Sequence, residues 1–149
     1  TVEKAKRLFV VEANIDDATP EELSHALALA MKRGALDAWV TPIIMKKGRA
    51  AFSFSVFCEP DRCELLRELI LNETSTIGVR QYEVDRFELP RKMVKVKTGY
   101  GVVRVKEVVG PAGERRFKPE FDDVSRLAEK AKVPYRKVYN EALARAEKR

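Results

Sequence analysis

Apolar positions over residues 7–89 switch between the short runs typical of strands and the spaced stripes typical of helices. The runs predict four strands, at residues 8–13, 38–44, 51–57 and 78–89. The stripes predict two helices, one between Thr19 and Gly34 and one beginning near Asp61. Strand, helix, strand, strand, helix, strand is the order of a ferredoxin-like βαββαβ fold. We therefore expect helices on one face of a four-stranded antiparallel sheet and an open face for a ligand or another subunit.

The first helix carries clear local signals at both ends. Thr19 supplies an N-cap hydroxyl, Pro20 suits the first helical position and Glu22 can complete a capping box. Gly34 suits the end of the helix. These signals place the polar residues just before Thr19 in the connection between the first strand and the first helix.

The pattern changes after Pro90. Valines alternate with cations on both sides of a turn at residues 99–101, which predicts a β-hairpin with one apolar and one basic face. The basic face carries Lys95, Lys97, Arg104 and Lys106. A short extended piece at 115–119 and two helices complete the chain. We expect an α+β protein with a ferredoxin-like domain at 1–90 and a basic hairpin with a two-helix subdomain at 91–149.

Composition favours a single-domain-sized cytosolic protein with an anionic partner. The 149 residues are 45% hydrophobic and carry a formal net charge of +6, which attracts anions without requiring nucleic acid. Cys58 and Cys63 are spaced neither as a zinc site nor as a disulfide framework, so we expect reduced thiols and a cytoplasmic location. The sequence shows no signal peptide and no long apolar run, and we expect no membrane association.

The turn between the second and third predicted strands is strongly basic. Lys46, Lys47 and Arg49 surround Gly48. Because like charges repel, such a turn is stable in water or around an anion with several oxygen atoms. We interpret it as a phosphate-binding loop. The alternative is an ordinary hairpin turn whose charges provide solubility.

Two other polar groups could complete a nucleotide site. Asn14, Asp16 and Asp17 follow the first apolar run, and a carboxylate pair beside a polyphosphate can hold Mg²⁺. The carboxylates could instead only favour the positive end of the helix dipole. Residues 73–80 join the second helix to the fourth strand with three hydroxyls, a glycine and an arginine, a composition suited to a sugar-phosphate. The alternative is ordinary loop polarity.

Missing motifs exclude several classes of chemistry. The sequence has no P-loop, no cluster of His and Cys for a permanent zinc, nickel or copper site, and no nucleophile motif of covalent hydrolases. His25, the single histidine, lies off the apolar stripe of its helix and is not expected to act as a ligand or base. Nucleic-acid binding by the basic hairpin is disfavoured, because few aromatic residues lie near it.

Several motifs in this order resemble the C-terminal domain of the LarC family of nickel-insertion proteins. The resemblance rests on residues 12–17 with 19–21, 34–37 with 41–43, 45–49, 73–80, 100–101 and 118–123. Those proteins are cyclometallases that complete the nickel-pincer nucleotide cofactor of lactate racemase. Position 50 departs from the family pattern, because alanine replaces a frequent proline. Position 18 is alanine where methionine is common, and Ser75 replaces a threonine. None of the three departures removes a charge from the motifs.

The resemblance implies a CTP-dependent nickel insertion, a lyase-type reaction that needs Mg²⁺ or Mn²⁺. Nickel enters pyridinium-3,5-bisthiocarboxylic acid mononucleotide while CTP is cleaved to CMP and pyrophosphate. By resemblance, Lys46, Lys47, Gly48 and Arg49 bind the triphosphate, and Asp16 and Asp17 bind the divalent ion. The nucleotide contacts are assigned to Asn14, Thr74, Thr76 and Arg80. Catalysis is assigned to Asp16, Asp17 and Lys46, and the family pattern extends to Lys118 and Glu120.

The resemblance also implies partners. Family members carry an N-terminal region suited to nickel, so we expect this chain to work with an N-terminal domain of the same protein. The open sheet face favours a homo-oligomer. Two other functions remain open: a non-catalytic regulatory module that binds nucleotides, and an RNA-binding protein that uses the basic hairpin.

Overall fold

The computed structural model describes residues 6–149, which divide into two compact units, 6–86 and 87–149. The first unit contains β1 (Arg7–Ile15), α1 (Pro20–Lys32), β2 (Asp37–Ile44), β3 (Ala50–Cys58), α2 (Cys63–Glu73) and β4 (Arg80–Asp85). The second contains β5 (Arg91–Thr98), β6 (Gly101–Val109), β7 (Arg115–Pro119), α3 (Phe121–Ala131) and α4 (Tyr135–Glu147). Short 3₁₀ turns at Lys46–Gly48 and Pro60–Arg62 precede β3 and α2.

The first unit has the predicted ferredoxin-like fold. Its sheet has the strand order β2-β3-β1-β4, and each neighbouring pair is antiparallel. Helices α1 and α2 cover one face, where their apolar stripes pack on alternate residues of β1 and β3. The buried cluster includes Val11, Ala13, Phe54, Val56, Leu66 and Ile70. The prediction of an α+β architecture is therefore confirmed.

The capping signals of α1 are confirmed in detail. The Glu22 backbone N–H donates to Thr19 Oγ1 at 3.2 Å, and the Thr19 N–H donates to Glu22 Oε2 at 2.9 Å. Beyond the other end of the helix, Gly34 has a φ of +95°, a conformation that favours glycine. Because Thr19 fixes the start of α1, only residues 16–18 connect β1 to the helix cap.

The opposite face of the first sheet is polar near its centre. Glu12 and Asn14 lie on this face of β1, and their direct neighbours on β3 are Ser55 and Ser53. Arg80 of β4 lies opposite Glu12 on the other side. Along β3, serines alternate with apolar residues, which is the sequence pattern of a strand with one polar face.

Several element limits in the first unit differ from the prediction. The first strand was expected at residues 8–13, but β1 runs from Arg7 to Ile15 and so includes Asn14. The fourth strand was expected to run to residue 89, but β4 ends at Asp85. Asp85 pairs with Arg7, the first residue of β1, so the pairing of the two strands ends at these residues. The second helix was expected from Asp61, but a 3₁₀ turn holds residues 60–62 and α2 begins at Cys63.

The two cysteines are buried free thiols, as expected. Cys58 ends β3 and Cys63 begins α2, with the sulfur atoms 3.7 Å apart. Burial, together with a hydrogen bond to Cys63, raises the pKa of Cys58 to about 12. The Cys58 thiol is therefore protonated and unreactive at neutral pH.

The second unit contains a three-stranded sheet where the sequence predicted a two-stranded hairpin. The piece at 115–119 forms β7, a third strand that pairs antiparallel with β6 in the order β5-β6-β7. Both predicted helices are present, and their core includes Val96, Val103, Val105, Val124, Leu127, Val138 and Ala142. Ala131, the last residue of α3, is exposed. The predicted cations lie on the face of the hairpin that points away from this core. On that face Lys95 of β5 pairs with Arg104 of β6, and Lys97 pairs with Val102.

Candidate functional site

The basic turn and the acidic segment meet at one end of the first sheet. Arg49 Nη1 lies 3.6 Å from Asp16 Oδ2, although 33 positions separate the two residues in the chain (49 minus 16). The hairpin of β2 and β3 carries Arg49, and the β1–α1 connection carries Asp16. Both side chains retain substantial exposure, 62% for Arg49 and 34% for Asp16. An ion pair this long and exposed is weak, so either partner can exchange the other for a ligand.

The hydroxyl-rich loop meets the same acidic segment. Ser75 Oγ donates a hydrogen bond to Asp17 Oδ1. The predicted contacts Thr74 and Thr76 use their hydroxyls locally: Thr74 donates to the Ile70 carbonyl at 2.6 Å, and Thr76 donates to the Gly78 carbonyl at 2.9 Å. Their hydroxyl oxygens can still accept a bond from a ligand. In this structure they shape the loop that places Ser75 beside Asp17.

Arg80 and Asn14 form the third contact, and Glu12, to which sequence analysis gave no role, also binds Arg80. Arg80 Nη2 donates to Asn14 Oδ1 at 3.0 Å, and Arg80 Nε donates to Glu12 Oε1 at 2.8 Å. Glu12 Oε2 accepts from Ser55 Oγ at 3.2 Å and from the Tyr82 hydroxyl at 3.4 Å. Partial burial and the Glu12 carboxylate raise the pKa of Tyr82, so its hydroxyl remains a donor at neutral pH. A carboxylate two positions before Asn14, on the same strand face, was the available sequence signal.

The basic turn itself has an uncommon backbone. Lys47 has a φ of +62° and Gly48 a φ of +69°, and the Met45 N–H donates to the Arg49 carbonyl at 2.8 Å. A left-handed lysine is disfavoured by about 1 to 2 kcal/mol relative to its ordinary conformations. Within residues 6–149, neither Lys46 nor Lys47 forms an ion pair. The turn therefore presents two exposed ammonium groups beside Arg49.

The donor set fits a divalent cation that is shared with a ligand. Asp16 and Asp17 supply two carboxylates, and residues 6–149 contain no group of three or more His, Cys, Asp or Glu side chains placed to hold a metal. Mg²⁺ in nucleotide sites typically uses one or two carboxylates and takes its other ligands from phosphates and water. The acidic segment fits that arrangement and does not fit an all-protein metal cage.

The remaining candidates make other contacts. His25 is exposed, with Nε2 3.4 Å from Glu73 Oε2. Lys118 and Glu120 belong to the second unit, where Lys118 lies opposite Lys106 and the Glu120 N–H donates to the Arg104 carbonyl. The basic hairpin face is only partly available, because Asp123 binds Arg104.

Comparison with known proteins assigns the chain to a family. A family model described as nickel insertion protein matches residues 1–139. The chain belongs to the nickel insertion protein family. A putative nickel insertion protein of Syntrophobacter fumaroxidans is 44% identical over 141 residues, which are 95% of this chain and 36% of that protein. The pyridinium-3,5-bisthiocarboxylic acid mononucleotide nickel insertion protein of Staphylococcus epidermidis is 36% identical, with the same coverage.

Solved structures show which part of the family the chain matches. The apo form of the C-terminal domain of a cyclometallase involved in the synthesis of the NPN cofactor of lactate racemase is 37% identical, with a TM-score of 0.88. The match covers 96% of this chain and 99% of that domain. A protein of Methanopyrus kandleri AV19 gives a TM-score of 0.70 at 26% identity, over 97% of this chain and 88% of that one. The predicted likeness to the C-terminal domain of the LarC family is confirmed.

The length of the chain and the character of its helices complete the comparison. It spans about a third of the length of the curated relatives that it matches, between 31% and 36% for the first three. None of the helices within residues 6–149 has both the length and the apolar character needed to cross a membrane.

Proposed function

We propose that this chain is the CTP-binding domain of an enzyme that inserts nickel into pyridinium-3,5-bisthiocarboxylic acid mononucleotide, with CTP cleaved to CMP and pyrophosphate. Family membership and the likeness to a cyclometallase domain support the overall role. The observation that carries the CTP assignment is the meeting of three segments at one end of the first sheet. The contacts that join them are Asp16–Arg49, Asp17–Ser75 and Asn14–Arg80.

The basic turn is proposed to bind the triphosphate. Lys46 and Lys47 are exposed cations without ion-pair partners in residues 6–149, and Arg49 can exchange a weak contact with Asp16 for phosphate oxygens. Gly48 allows the turn to hold the three side chains around one anion. Cleavage of CTP to CMP and pyrophosphate builds negative charge on the departing pyrophosphate, and Lys46 is placed in the role of stabilising that charge.

Asp16 and Asp17 are proposed to hold Mg²⁺ or Mn²⁺ together with the triphosphate. Such a bound ion supplies charge neutralisation at the phosphate oxygens. Ser75 orients Asp17, and Thr74 and Thr76 fix the backbone of the loop that carries Ser75. Nickel is a substrate in this proposal and needs no permanent site in residues 6–149. We propose that an N-terminal domain of the same protein supplies the nickel and the mononucleotide.

The proposal is tested by calorimetric titration of this chain with CTP, ATP, GTP and UTP in the presence of Mn²⁺. Metal-dependent binding with a preference for CTP is expected, and Lys46→Ala and Asp16→Ala should each abolish it. Lys97→Ala is the matched control, because it removes the same charge from the second unit. Loss of binding in Lys97→Ala but not in Lys46→Ala would contradict the assignment of the basic turn.

The same variants separate the other functions. An RNA-binding protein would bind oligonucleotides through Lys95, Lys97 and Lys106, with an affinity that falls steeply with salt and no preference for CTP. A regulatory module would bind CTP as proposed but show no turnover when the N-terminal domain, nickel and mononucleotide are added. Homo-oligomerisation and a cytoplasmic location stay predictions, which sedimentation and cell fractionation can test.

A further inference from the structure

Four residues form a straight row across the open face of the first sheet. Trp39 of β2 lies opposite Ser55 of β3, Ser55 opposite Glu12 of β1, and Glu12 opposite Arg80 of β4. Three interstrand spacings, about 14 Å, separate the ends of the row. Tyr82, next to Arg80 on the same face of β4, is 46% exposed and Trp39 is 38% exposed. The row therefore places hydrogen-bonding groups between two accessible aromatic rings.

The hydrogen-bond inventory of Arg80 leaves donors for a ligand. A guanidinium has five N–H groups, of which Glu12 and Asn14 take one each. The remaining three have no partner of their own within residues 6–149, and the Arg80 side chain is 54% exposed. Its two partners hold the guanidinium plane in place on the sheet. Arg80 is thus an oriented donor group next to Glu12, whose carboxylate is 15% exposed, accepts bonds from Arg80, Ser55 and Tyr82, and keeps one of its roughly four acceptor positions for a ligand.

This combination matches one edge of cytosine and mismatches the same edge of uracil. Cytosine presents an exocyclic amine that donates, next to a ring nitrogen and a carbonyl oxygen that accept. Glu12 can accept from the amine, and Arg80 can donate to the ring nitrogen and the carbonyl. Uracil presents a carbonyl oxygen where cytosine has the amine, and a ring N–H where cytosine has an acceptor. Both would face a protein group of the wrong kind, which is a strong basis for discrimination.

The distance along β1 fits a nucleotide that spans both features. Glu12 and Asp16 are four residues apart in nearly extended chain, which corresponds to about 13 Å. An extended nucleoside triphosphate has a comparable reach from its base to its terminal phosphate. A base over Glu12 can therefore belong to the ligand whose phosphates lie at Asp16 and the basic turn.

We propose that the open face of the first sheet selects cytosine, with Glu12 accepting from the exocyclic amine and Arg80 donating to the ring nitrogen and carbonyl oxygen. The inference rests on the proposed function, because it assumes that the basic turn binds a nucleoside triphosphate. It adds Glu12 as a specificity-determining residue and Trp39 and Tyr82 as the aromatic borders of the base site.

The deciding experiment compares CTP with UTP in the presence of Mn²⁺. The wild-type chain should prefer CTP by about tenfold or more. Glu12→Gln replaces the carboxylate with an amide that can also donate to the uracil carbonyl, so it should lower the preference for CTP, and the part that remains should come from Arg80. Arg80→Gln should weaken CTP binding more than UTP binding. Lys46→Ala should abolish the binding of both nucleotides, because it removes a phosphate contact.

Trp39 provides a second readout, since it is the single tryptophan of the chain. Binding of CTP should change its fluorescence, whereas inorganic tripolyphosphate should bind at the basic turn without changing it. Thermal unfolding followed by circular dichroism shows whether each variant is folded. If Glu12→Gln unfolds, the exposed Arg80→Gln variant and the Trp39 signal decide the question.

The outcomes separate the two proposals. If the wild type binds no nucleoside triphosphate, both the proposed function and the cytosine assignment are overturned. If it binds CTP but Glu12→Gln and Arg80→Gln both keep the wild-type preference over UTP, only the cytosine assignment is overturned. An equal response of Trp39 to CTP and to tripolyphosphate would also overturn it.

Discussion

The two sheets use their charged residues in opposite ways. In the first unit, Asp16 and Arg49 form a long, exposed ion pair of 3.6 Å at the sheet end. In the second unit, Asp123 is buried and accepts three bonds of 2.9 Å from Arg104, one from the backbone N–H and two from the guanidinium. Burial and geometry therefore separate the charges that hold the fold from those that are available to a ligand.

A second buried carboxylate extends this contrast. Glu107 is 4% exposed, receives a bond of 2.6 Å from Arg115 Nε and lies 3.5 Å from Lys92 Nζ. The hydrogen bond from Arg115 holds the pKa of Glu107 below its usual value, and the bonds from Arg104 do the same for Asp123. Both carboxylates are thus committed to contacts that hold the second unit together, and the exposed Lys92 shares one of them.

The largest expected effect comes from removing one buried carboxylate. Asp123→Asn should lower the free energy of unfolding by about 2 to 3 kcal/mol, because it weakens charged hydrogen bonds and leaves Arg104 without its anion. Asp16→Asn should cost less than about 1 kcal/mol, as exposed ion pairs usually do, while it abolishes CTP binding. Urea denaturation followed by circular dichroism measures the first effect, and calorimetric titration measures the second.

Trp39 fluorescence shows whether the stability loss of Asp123→Asn is confined to the second unit, because Trp39 is the single tryptophan and lies in the first unit. Its transition should shift less than the circular dichroism signal if the units unfold separately. Equal stability losses in Asp123→Asn and Asp16→Asn would show that burial does not distinguish the two pairs.

Acid should weaken the second unit through the same carboxylates. The folded-state pKa of Asp123 lies below its unfolded value of about 3.9, so its stabilisation is complete above that value and is lost as the pH falls through the folded-state pKa. Glu107 acts in the same direction. The melting temperature should therefore fall below about pH 4, and the gap between wild type and Asp123→Asn should narrow there. A gap that stays constant down to about pH 2 would contradict this account.

Local signals allowed much of the fold to be predicted. Thr19, Pro20 and Glu22 act within one helical turn, so their roles could be read directly from the sequence. The alternation of Ser53 and Ser55 with apolar neighbours likewise indicates a strand with one polar face. Strand β7 was predicted only as an extended piece, because its five residues do not alternate and it is defined by its pairing with β6.

The candidate site depends on long-range register, which the sequence did not supply. Glu12 and Arg80 are 68 positions apart, and only the strand order β3-β1-β4 brings them together. Glu12 lies inside an apolar run, and that position indicates a strand residue without indicating a functional role. The three motifs could be recognised as polar segments, but the contacts Asp16–Arg49 and Asp17–Ser75 required the folded chain.

A smaller effect should follow from changing the backbone of the basic turn without changing its charge. Gly48→Ala places a Cβ at a φ of +69°, where it costs about 1 to 2 kcal/mol, although no atom lies within 4 Å of the new carbon. The turn should adjust and CTP affinity should fall. Gly78→Ala is the matched control, because its Cβ also meets open space and its φ lies outside the left-handed region. Equal behaviour of the two variants in titration and thermal unfolding would show that the conformation of the turn does not matter.

The smallest expected effect concerns the lysines on the outer face of the second sheet. Lys106 lies directly opposite Lys118, and like charges in that position repel. Lys106→Gln should therefore raise the free energy of unfolding by about 0.2 to 1 kcal/mol and leave CTP affinity unchanged. Lys92→Gln is the matched control of opposite sign, because Lys92 faces the buried Glu107 carboxylate and its loss should destabilise the unit. Thermal unfolding at low salt measures both. If Lys106→Gln instead weakens CTP binding, the outer face of the second sheet takes part in nucleotide recognition, and the division of labour between the two sheets is wrong.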